Sequence, residues 1–478
     1  VTDADWTRPA RPFAIAHRGA SAYAFDNTLR AFDLAAELGA DMWEVDIGMT
    51  RDGVPVVHHD AALADGSAVA ALDWADLLAR TTAAGRPAPK LDEVIALAAR
   101  RGVGIYADIK DSAAALPTLE LLRGHGIYRA ILGAFDPAVA EALAAAGSPY
   151  PRAVLVSLGA DPFEHARGAD VIHLCWERMD RPQDMLTPAL FERAFAQGQR
   201  VVLWHEEDPV RMAAIRQTPV TGICSDRPEM VNPFVPLQDW PVQIVCHRGA
   251  NLAAPENTLP AMDCAFLAGF SHVEVDLQDT ADRQVVALHD QTLDRTTSGQ
   301  GPAMAQTLAE LRALDAGSWK DAFFAGTVIP TLAEVLACAQ AHQGSLYLEL
   351  KSADPGRVWT EVSAAGLAGR VFLWSFDAAR MQVLRRLSGE ARLMARRQDY
   401  PDLAATLASY APQIVEYTPD EDMAEFPVLR AKGIQPMVAY MGDDPAVFDA
   451  IIAARPDLVN LDQSFAFARH LTAWSARK

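Results

Sequence analysis

The chain has 478 residues, too many for one ordinary core and enough for two to four domains. It is 50% hydrophobic and 22% charged, an ordinary globular balance, and its formal net charge of −20 argues against nucleic acid, which needs a basic face to displace counterions. No stretch of about 18 consecutive apolar residues occurs, so no transmembrane helix is expected. The opening V-T-D-A-D-W-T-R-P-A-R-P lacks the apolar region of a signal peptide, and the cytoplasm is the expected location. No basic amphipathic segment is visible, so no stable membrane association is expected. The five cysteines, Cys175, Cys224, Cys246, Cys264 and Cys338, include no C-x-x-C, which removes a zinc ribbon and a disulfide framework.

The first apolar run, F-A-I-A (13–16), leads into His17-Arg18-Gly19. A helical pattern follows, T-L-R-A-F-D-L-A-A-E-L (28–38), then M-W-E-V-D-I (42–47) and V-P-V-V (54–57). Further strand candidates are 103–109, 130–135, 152–156, 170–174, 200–204 and 222–226, most of them separated by helical segments. Strand–helix alternation predicts a parallel sheet. These are nine candidates for an eight-stranded barrel. The linker M-T-R-D-G between 42–47 and 54–57 is too short for a helix, so one of the nine is expected to be a hairpin arm or a false strand.

The pattern then repeats. His247, Asn257, Thr258, Glu274, Asp276, His289 and Asp290 follow His17, Asn27, Thr28, Glu44, Asp46, His59 and Asp60 at one constant offset. Glu349, Lys351 and Phe376 follow Asp108, Lys110 and Phe135 at a second, larger constant offset. The added length falls where the second copy carries the Gly-rich loop R-T-T-S-G-Q-G (295–301). Near the ends, Tyr440 and Asp462 follow Trp204 and Asp226 at a third shared offset. The expected architecture is therefore α/β, two tandem (β/α)8 TIM barrels over 1–235 and 236–478, joined through N-P-F-V-P-L-Q-D-W-P (232–241).

Placed on those strands, the polar residues converge. Glu44 and Asp46 are two apart and face one side, as do Asp108 and Lys110, while His17 and His59 end their strands. Barrel enzymes gather catalytic groups at the carboxyl ends of the strands. Three carboxylates there raise one another's pKa values unless a cation sits among them. An all-oxygen set selects a hard divalent cation, Mg2+ or Ca2+. The two histidines are then left for proton transfer, and Arg18 and Lys110 for an anionic group such as phosphate. Such a set suits cleavage of a phosphodiester.

The ordered motifs H-R-G, E-N-T, E-V-D, H-D, E-L-K and W-S-F resemble the glycerophosphodiester phosphodiesterase family across both halves of the chain. The resemblance implies a (β/α)8 barrel related to phosphatidylinositol-specific phospholipases. It also implies metal-dependent hydrolysis of small-molecule glycerophosphodiesters to glycerol 3-phosphate and an alcohol. In the second copy it implies His247 and His289 as the acid/base pair, in either order. Glu274, Asp276 and Glu349 would be metal ligands, Arg248 and Lys351 phosphate contacts, and Glu256 a supporting carboxylate. In the first copy the same roles fall on His17, His59, Glu44, Asp46, Asp108, Arg18, Lys110 and Asp26.

The copies depart from the family pattern in different places. The first has Asp26 and Asp108 where the family has Glu, lacks R-T-T-S-G-Q-G, and reads G-A-F (133–135) for W-S-F. The second reads T-A-D-R (280–283) for T-R-D-G, places Tyr440 where Trp204 stands, and reads L-D-Q-S (461–464) for S-D-R-P. The first-copy carboxylates are retracted by about 1.5 Å each, so the second copy is expected to be the main catalytic site. Alternatives are sugar phosphodiesters, lysophospholipids or sphingolipids as substrate, or one or both barrels as non-catalytic binding modules. Unmatched histidines, among them His173, His205, His272 and His342, are expected to be solvated or core, and E-E-D (206–208) a solvated loop. Nothing in the sequence addresses oligomeric state.

Overall fold

Period-two alternation along each barrel strand decides what faces the axis. Phe13, Ile15 and His17 share one side of the first strand, Met42, Glu44 and Asp46 one side of the next, and Tyr106 and Asp108 one side of another. The lower residues of these series are apolar and the last ones polar. A greasy plug therefore lies below a charged mouth. The computed structural model, which describes residues 6–176 and 181–477, bears this out. Phe13, Ile15, Met42, Tyr106, Ile131, Val171, Val202 and Cys224 form one buried cluster.

In the first unit the strands are β1 (Phe13–His17), β2 (Met42–Met49), β3 (Pro55–Val57), β4 (Gly104–Ile109), β5 (Ala130–Ala134), β6 (Arg152–Val156), β7 (Val171–Cys175), β8 (Arg200–Trp204) and β9 (Gly222–Ser225). Among the described residues, β1, β2 and β4–β9 are parallel and close into a barrel through the β1–β2 and β1–β9 pairings. The ninth strand, β3, is antiparallel to β2 with Ile47 opposite Val57, the hairpin arm anticipated from the short linker.

The second unit repeats this with β10 (Gln243–Cys246), β11 (His272–Asp279), β12 (Val285–Ala287), β13 (Ser345–Leu350), β14 (Val371–Trp374), β15 (Arg392–Arg396), β16 (Ile414–Tyr417), β17 (Gln435–Tyr440) and β18 (Leu458–Leu461). Its barrel closes through β10–β11 and β10–β18, and β12 is its hairpin arm. Val245, Tyr347, Phe372, Trp374, Met394, Ile414, Met437 and Leu458 form its plug. The two units part between Asn232 and Pro233. No helix among the described residues is long and apolar enough to cross a membrane.

The histidine expectations divide. His173 and His272 are core residues, and burial pushes both down to about 3. His173 Nδ1 meets the Tyr106 hydroxyl at 2.6 Å. The E-E-D run is not a solvated loop. Glu206 is 1% exposed, and its carboxylate takes the backbone N–H groups of Glu207 and Asp208 at 2.9 and 2.7 Å and Arg211 at 2.9 Å. These partners compensate a burial that charge alone would forbid.

The His-Arg-Gly motif turns sharply at the end of β10. Arg248 and Gly249 take successive left-handed conformations, φ 59° and 83°. A Cβ on Gly249 would meet Ala261 at 2.8–3.0 Å. Gly249→Ala is therefore expected to destabilise the second barrel by about 3 kcal/mol in urea unfolding; a loss below about 1 kcal/mol would contradict this account. The hairpin turn gives the opposite case. Arg283 matches Gly53 at the same offset that relates His247 to His17, and it takes that glycine's left-handed conformation, φ 61° against 77°. Arg283→Gly is expected to stabilise the second barrel by roughly 0.5–1 kcal/mol, read as a higher urea midpoint at unchanged slope.

Candidate functional site

The second barrel's mouth is assembled from three neighbouring strands. Strand register sets Asp276 on β11 beside Glu349 on β13, and Glu274 lies one pleat below Asp276. One oxygen from each of Glu274, Asp276 and Glu349 lies within 4.8 Å of the others, all three residues being buried. Glu274 Oε1 is buried without a hydrogen-bond partner, and Asp276 Oδ1 and Glu349 Oε1 accept no well-directed hydrogen bond and face the Lys351 ammonium, 3.3 Å from Asp276. Burial, then Asp276 and Glu349, push Glu274 well above the usual carboxylate range. Unfilled oxygen lone pairs converging in a buried anionic pocket fit a hard divalent cation.

Around the triad, Arg248 donates its backbone N–H to Glu274 at 2.8 Å, its Nη1 to Glu256 at 2.9 Å, and places Nε 3.4 Å from Asp276. Asn257 donates Nδ2 to the same oxygen, Asp276 Oδ2, at 2.8 Å, from a left-handed backbone (φ 57°). His247 Nδ1 lies 2.7 Å from Asp462, and its Nε2 lies 4.0 Å from Glu274. His289 Nδ1 lies 2.6 Å from Asp290. A carboxylate only accepts, so each histidine carries its proton on Nδ1 and keeps Nε2 as its second atom. Arg295, from R-T-T-S-G-Q-G, bridges Glu256 and Asp290 with hydrogen bonds of 2.7–3.0 Å and holds Asp290 well below the usual carboxylate range.

The first barrel brings the matching residues together. Glu44, Asp46 and Asp108 offer oxygens within 4.8 Å of one another, so the shorter Asp108 still joins the triad. Lys110 lies 2.6 Å from Asp108 and 3.1 Å from Asp46, and burial lifts Asp108 to about 6 against the pull of Lys110. Arg18 reaches Asp46 at 3.0 Å but Asp26 only at 3.5 Å, and Asp26 has no counterpart to Arg295 among its described ion pairs. His59 pairs with an exposed Asp60 at 2.8 Å.

The histidine environments differ most. His17 Nδ1 lies 2.7 Å from Asp226, and Trp204 Nε1 donates to His17 Nε2 at 2.8 Å. His205 stacks on the same ring at 4.9 Å between centroids. The His17 side chain is 7% exposed, against 18% for His247. Strand register corrects the expected counterpart of Trp204. Val202 pairs with Gly222 and Met437 with Leu458, so Ala439, not Tyr440, stands where Trp204 does. The second barrel instead carries Trp374 in register with Glu349, where the first has Gly133 in register with Asp108.

Sequence reasoning assigned no role to Asp226, Asp462, Arg295 or His205. The matched placement of Asp226 and Asp462 near the ends of the two copies was the available signal for the first two. Arg295 lay in a loop read only as Gly-rich, and His205 has no matched histidine.

A parallel barrel whose mouth joins a carboxylate triad, two carboxylate-bound histidines and paired cations defines the class: a (β/α)8 barrel with a metal-competent, anion-binding site. The glycerophosphoryl diester phosphodiesterase family model matches residues 17–230 and 247–396, and the chain belongs to that family. It is 45% identical over 127 residues to YhdW of Bacillus subtilis, covering 27% of this chain and 51% of YhdW. It is 33% identical over 182 residues to the glycerophosphodiester phosphodiesterase of the same organism, covering 36% of this chain and 61% of that one. The chain thus spans about half to three fifths of the length of these two relatives. A glycerophosphodiester phosphodiesterase structure from Agrobacterium tumefaciens is 36% identical, covers 48% of this chain and 99% of that one, and has a TM-score of 0.45.

Burial, followed by the charges of Arg18 and His205, outweighs Asp226 and holds His17 below its ordinary 6.5. Long-range 1H–15N spectra are expected to show His17 as the Nδ1–H tautomer with a titration midpoint below 6.5. A midpoint at or above 6.5 would rule out the capped, neutral imidazole.

Proposed function

We propose that the chain is a divalent-metal-dependent glycerophosphodiester phosphodiesterase whose main catalytic site is the mouth of the second barrel. The observation that carries this is the pairing of an unfilled carboxylate triad with two histidines, each locked through Nδ1 and keeping Nε2. Family membership and the names of the relatives support a glycerophosphodiester as substrate. Glu274, Asp276 and Glu349 would hold Mg2+ or Ca2+, which supplies charge neutralisation at the phosphoryl oxygens when bound.

The chain's own residues do the rest. Arg248 and Lys351 line the anion's position and bind the phosphate once their carboxylate partners are otherwise satisfied. One of His247 and His289, neutral, takes the proton of the attacking hydroxyl or water at Nε2, and the other, entering the step as the imidazolium, gives its Nε2 proton to the leaving alcohol oxygen. Asp462 and Asp290 fix the two tautomers, and Glu256 with Arg295 braces Arg248 and Asp290.

For the first barrel a second reading is favoured by one observation. Both ring nitrogens of His17 are engaged, Nε2 by an indole that can only donate. That barrel therefore reads as a binding or supporting module with little turnover.

Release of glycerol 3-phosphate from a panel of glycerophosphodiesters tests both readings. His289→Ala and His247→Ala are each expected to lower kcat by about 10²–10⁴, and His17→Ala by less than about twofold. Chelation should abolish turnover, and Mg2+ or Ca2+ should restore it. If His17→Ala cuts turnover as deeply as His289→Ala, the ranking of the barrels is wrong; if the parent is inactive with every metal, the activity itself is.

A further inference from the structure

Away from the barrel mouths, the outer layer of the second barrel holds a cluster of different chemistry. The helix Leu259–Leu267 presents Asp263, and the helix Leu332–Ala341 presents Cys338, with His342 capping its end one turn later. Asp263 Oδ1 lies 3.4 Å from Cys338 Sγ and 2.9 Å from His342 Nε2. One donor atom from each residue lies within 4.8 Å of the others, and all three side chains are half-buried. The four-residue spacing puts Cys338 and His342 on one helix face.

The first barrel supplies an internal control. Asp263 matches Asp33 at the offset that relates Glu274 to Glu44. Cys338 and His342 match Leu97 and Arg101 at the offset that relates Glu349 to Asp108. In the first barrel Arg101 closes the helix pair, with Nε 2.7 Å from Asp33 and Nη1 2.6 Å from Glu37. In the second barrel the permanent cation has gone. Leu267 replaces Glu37, a thiol replaces Leu97 and an imidazole replaces Arg101. The carboxylate keeps its place while both partners become metal-ligand types.

A reactive-thiol role does not suit the arrangement. Burial and the facing Asp263 carboxylate push the Cys338 thiol up, the reverse of an activated cysteine. A divalent cation between the two groups inverts that electrostatic sign. The spacing fits as well: donors sharing one tetrahedral ion at about 2.0–2.3 Å stand about 3.3–3.7 Å apart. The Asp263–Cys338 separation already matches. The Asp263–His342 contact is a hydrogen bond that needs to open by only a few tenths of an ångström. A mixed S, N and O donor set selects zinc-class metals over Mg2+ and Ca2+, which take oxygen.

We propose that Asp263, Cys338 and His342 form a zinc-class transition-metal site, with a fourth position open to water, that ties the helix Leu259–Leu267 to the helix Leu332–Ala341. The Phe266 ring, stacked on His342 at 5.4 Å between centroids, orients the imidazole. The tied helices run into β11 and β13, the strands that carry Glu274, Asp276 and Glu349. The site is therefore structural, replacing the first barrel's guanidinium clamp.

Co2+ is the probe, because thiolate-to-cobalt charge transfer in the near ultraviolet reports sulfur ligation and the all-oxygen triads cannot produce it. Titration of the full chain, with its carboxylate triads kept occupied by excess Mg2+, is expected to give such a band, saturating at about one equivalent and displaced by about one equivalent of Zn2+. The band should vanish in Cys338→Ser and need at least tenfold more Co2+ in His342→Ala and in Asp263→Asn. Absence of the band in the parent, its survival in Cys338→Ser, or unchanged titration of the other two variants would overturn the site. The readout does not depend on phosphodiester turnover, so it stands or falls apart from the proposed activity.

Discussion

Three carboxylates buried within 4.8 Å of one another cannot all stay ionised without positive charge among them. Much of each barrel mouth is a response to that constraint. Lys351 sits against Asp276 and Glu349, Arg248 spans Glu274, Asp276 and Glu256, and Asn257 shares the Asp276 oxygen that Arg248 faces. The left-handed Arg-Gly turn places the Arg248 backbone N–H on Glu274 while its guanidinium reaches Glu256 and Asp276. The protein supplies enough charge to hold the triad folded, but it does so with the Lys351 ammonium against two of the inner oxygens, so a divalent ion there would take over that neutralisation and release Lys351.

The barrels diverge by moving one large ring. The first has Gly133 and Trp204 at positions where the second has Trp374 and Ala439. A Cβ on Gly133 would already meet Leu155 and the Tyr106 hydroxyl at 3.0 and 3.1 Å, so a larger side chain there requires those neighbours to shift. Volume at the mouth is thus roughly kept while its position changes. That position decides the chemistry at the histidine: the indole N–H occupies Nε2 of His17, whereas Ala439 stands at the matching strand position of the second barrel and no ring contact to His247 is found among the described residues.

Much of this was legible because barrel strands repeat every two residues and the chain repeats its strands. Glu44-x-Asp46 and Asp108-x-Lys110 could be set on one face before any coordinates, and the fixed spacings located both mouths. What the sequence could not reveal is register. Tyr440 matched Trp204 at the offset that relates Asp462 to Asp226, yet the stretch between strand and helix holds one extra residue in the second barrel, and the strand pairing shifts the match to Ala439. Glu206 escaped for a related reason. Three acidic residues in a row look solvated, and only the fold shows the two amides and the Arg211 guanidinium that bury one of them.

The same question, which cation answers a fixed carboxylate, separates the barrels far from their mouths. Asp33 and Asp263 occupy matching helix positions and each faces the next helix in the outer layer. A guanidinium is a permanent cation that needs nothing from solution, and it forms a fork of hydrogen bonds to two acids. An imidazole beside a thiol is cationic only conditionally, through a proton or through a metal. Replacing Arg101 by His342 and Leu97 by Cys338 thus converts a constitutive clamp into one whose strength depends on what is bound. The clamp's helices lead into the strands of the triad, so the barrel with the more open histidine has also made the support of its carboxylates conditional on a ligand.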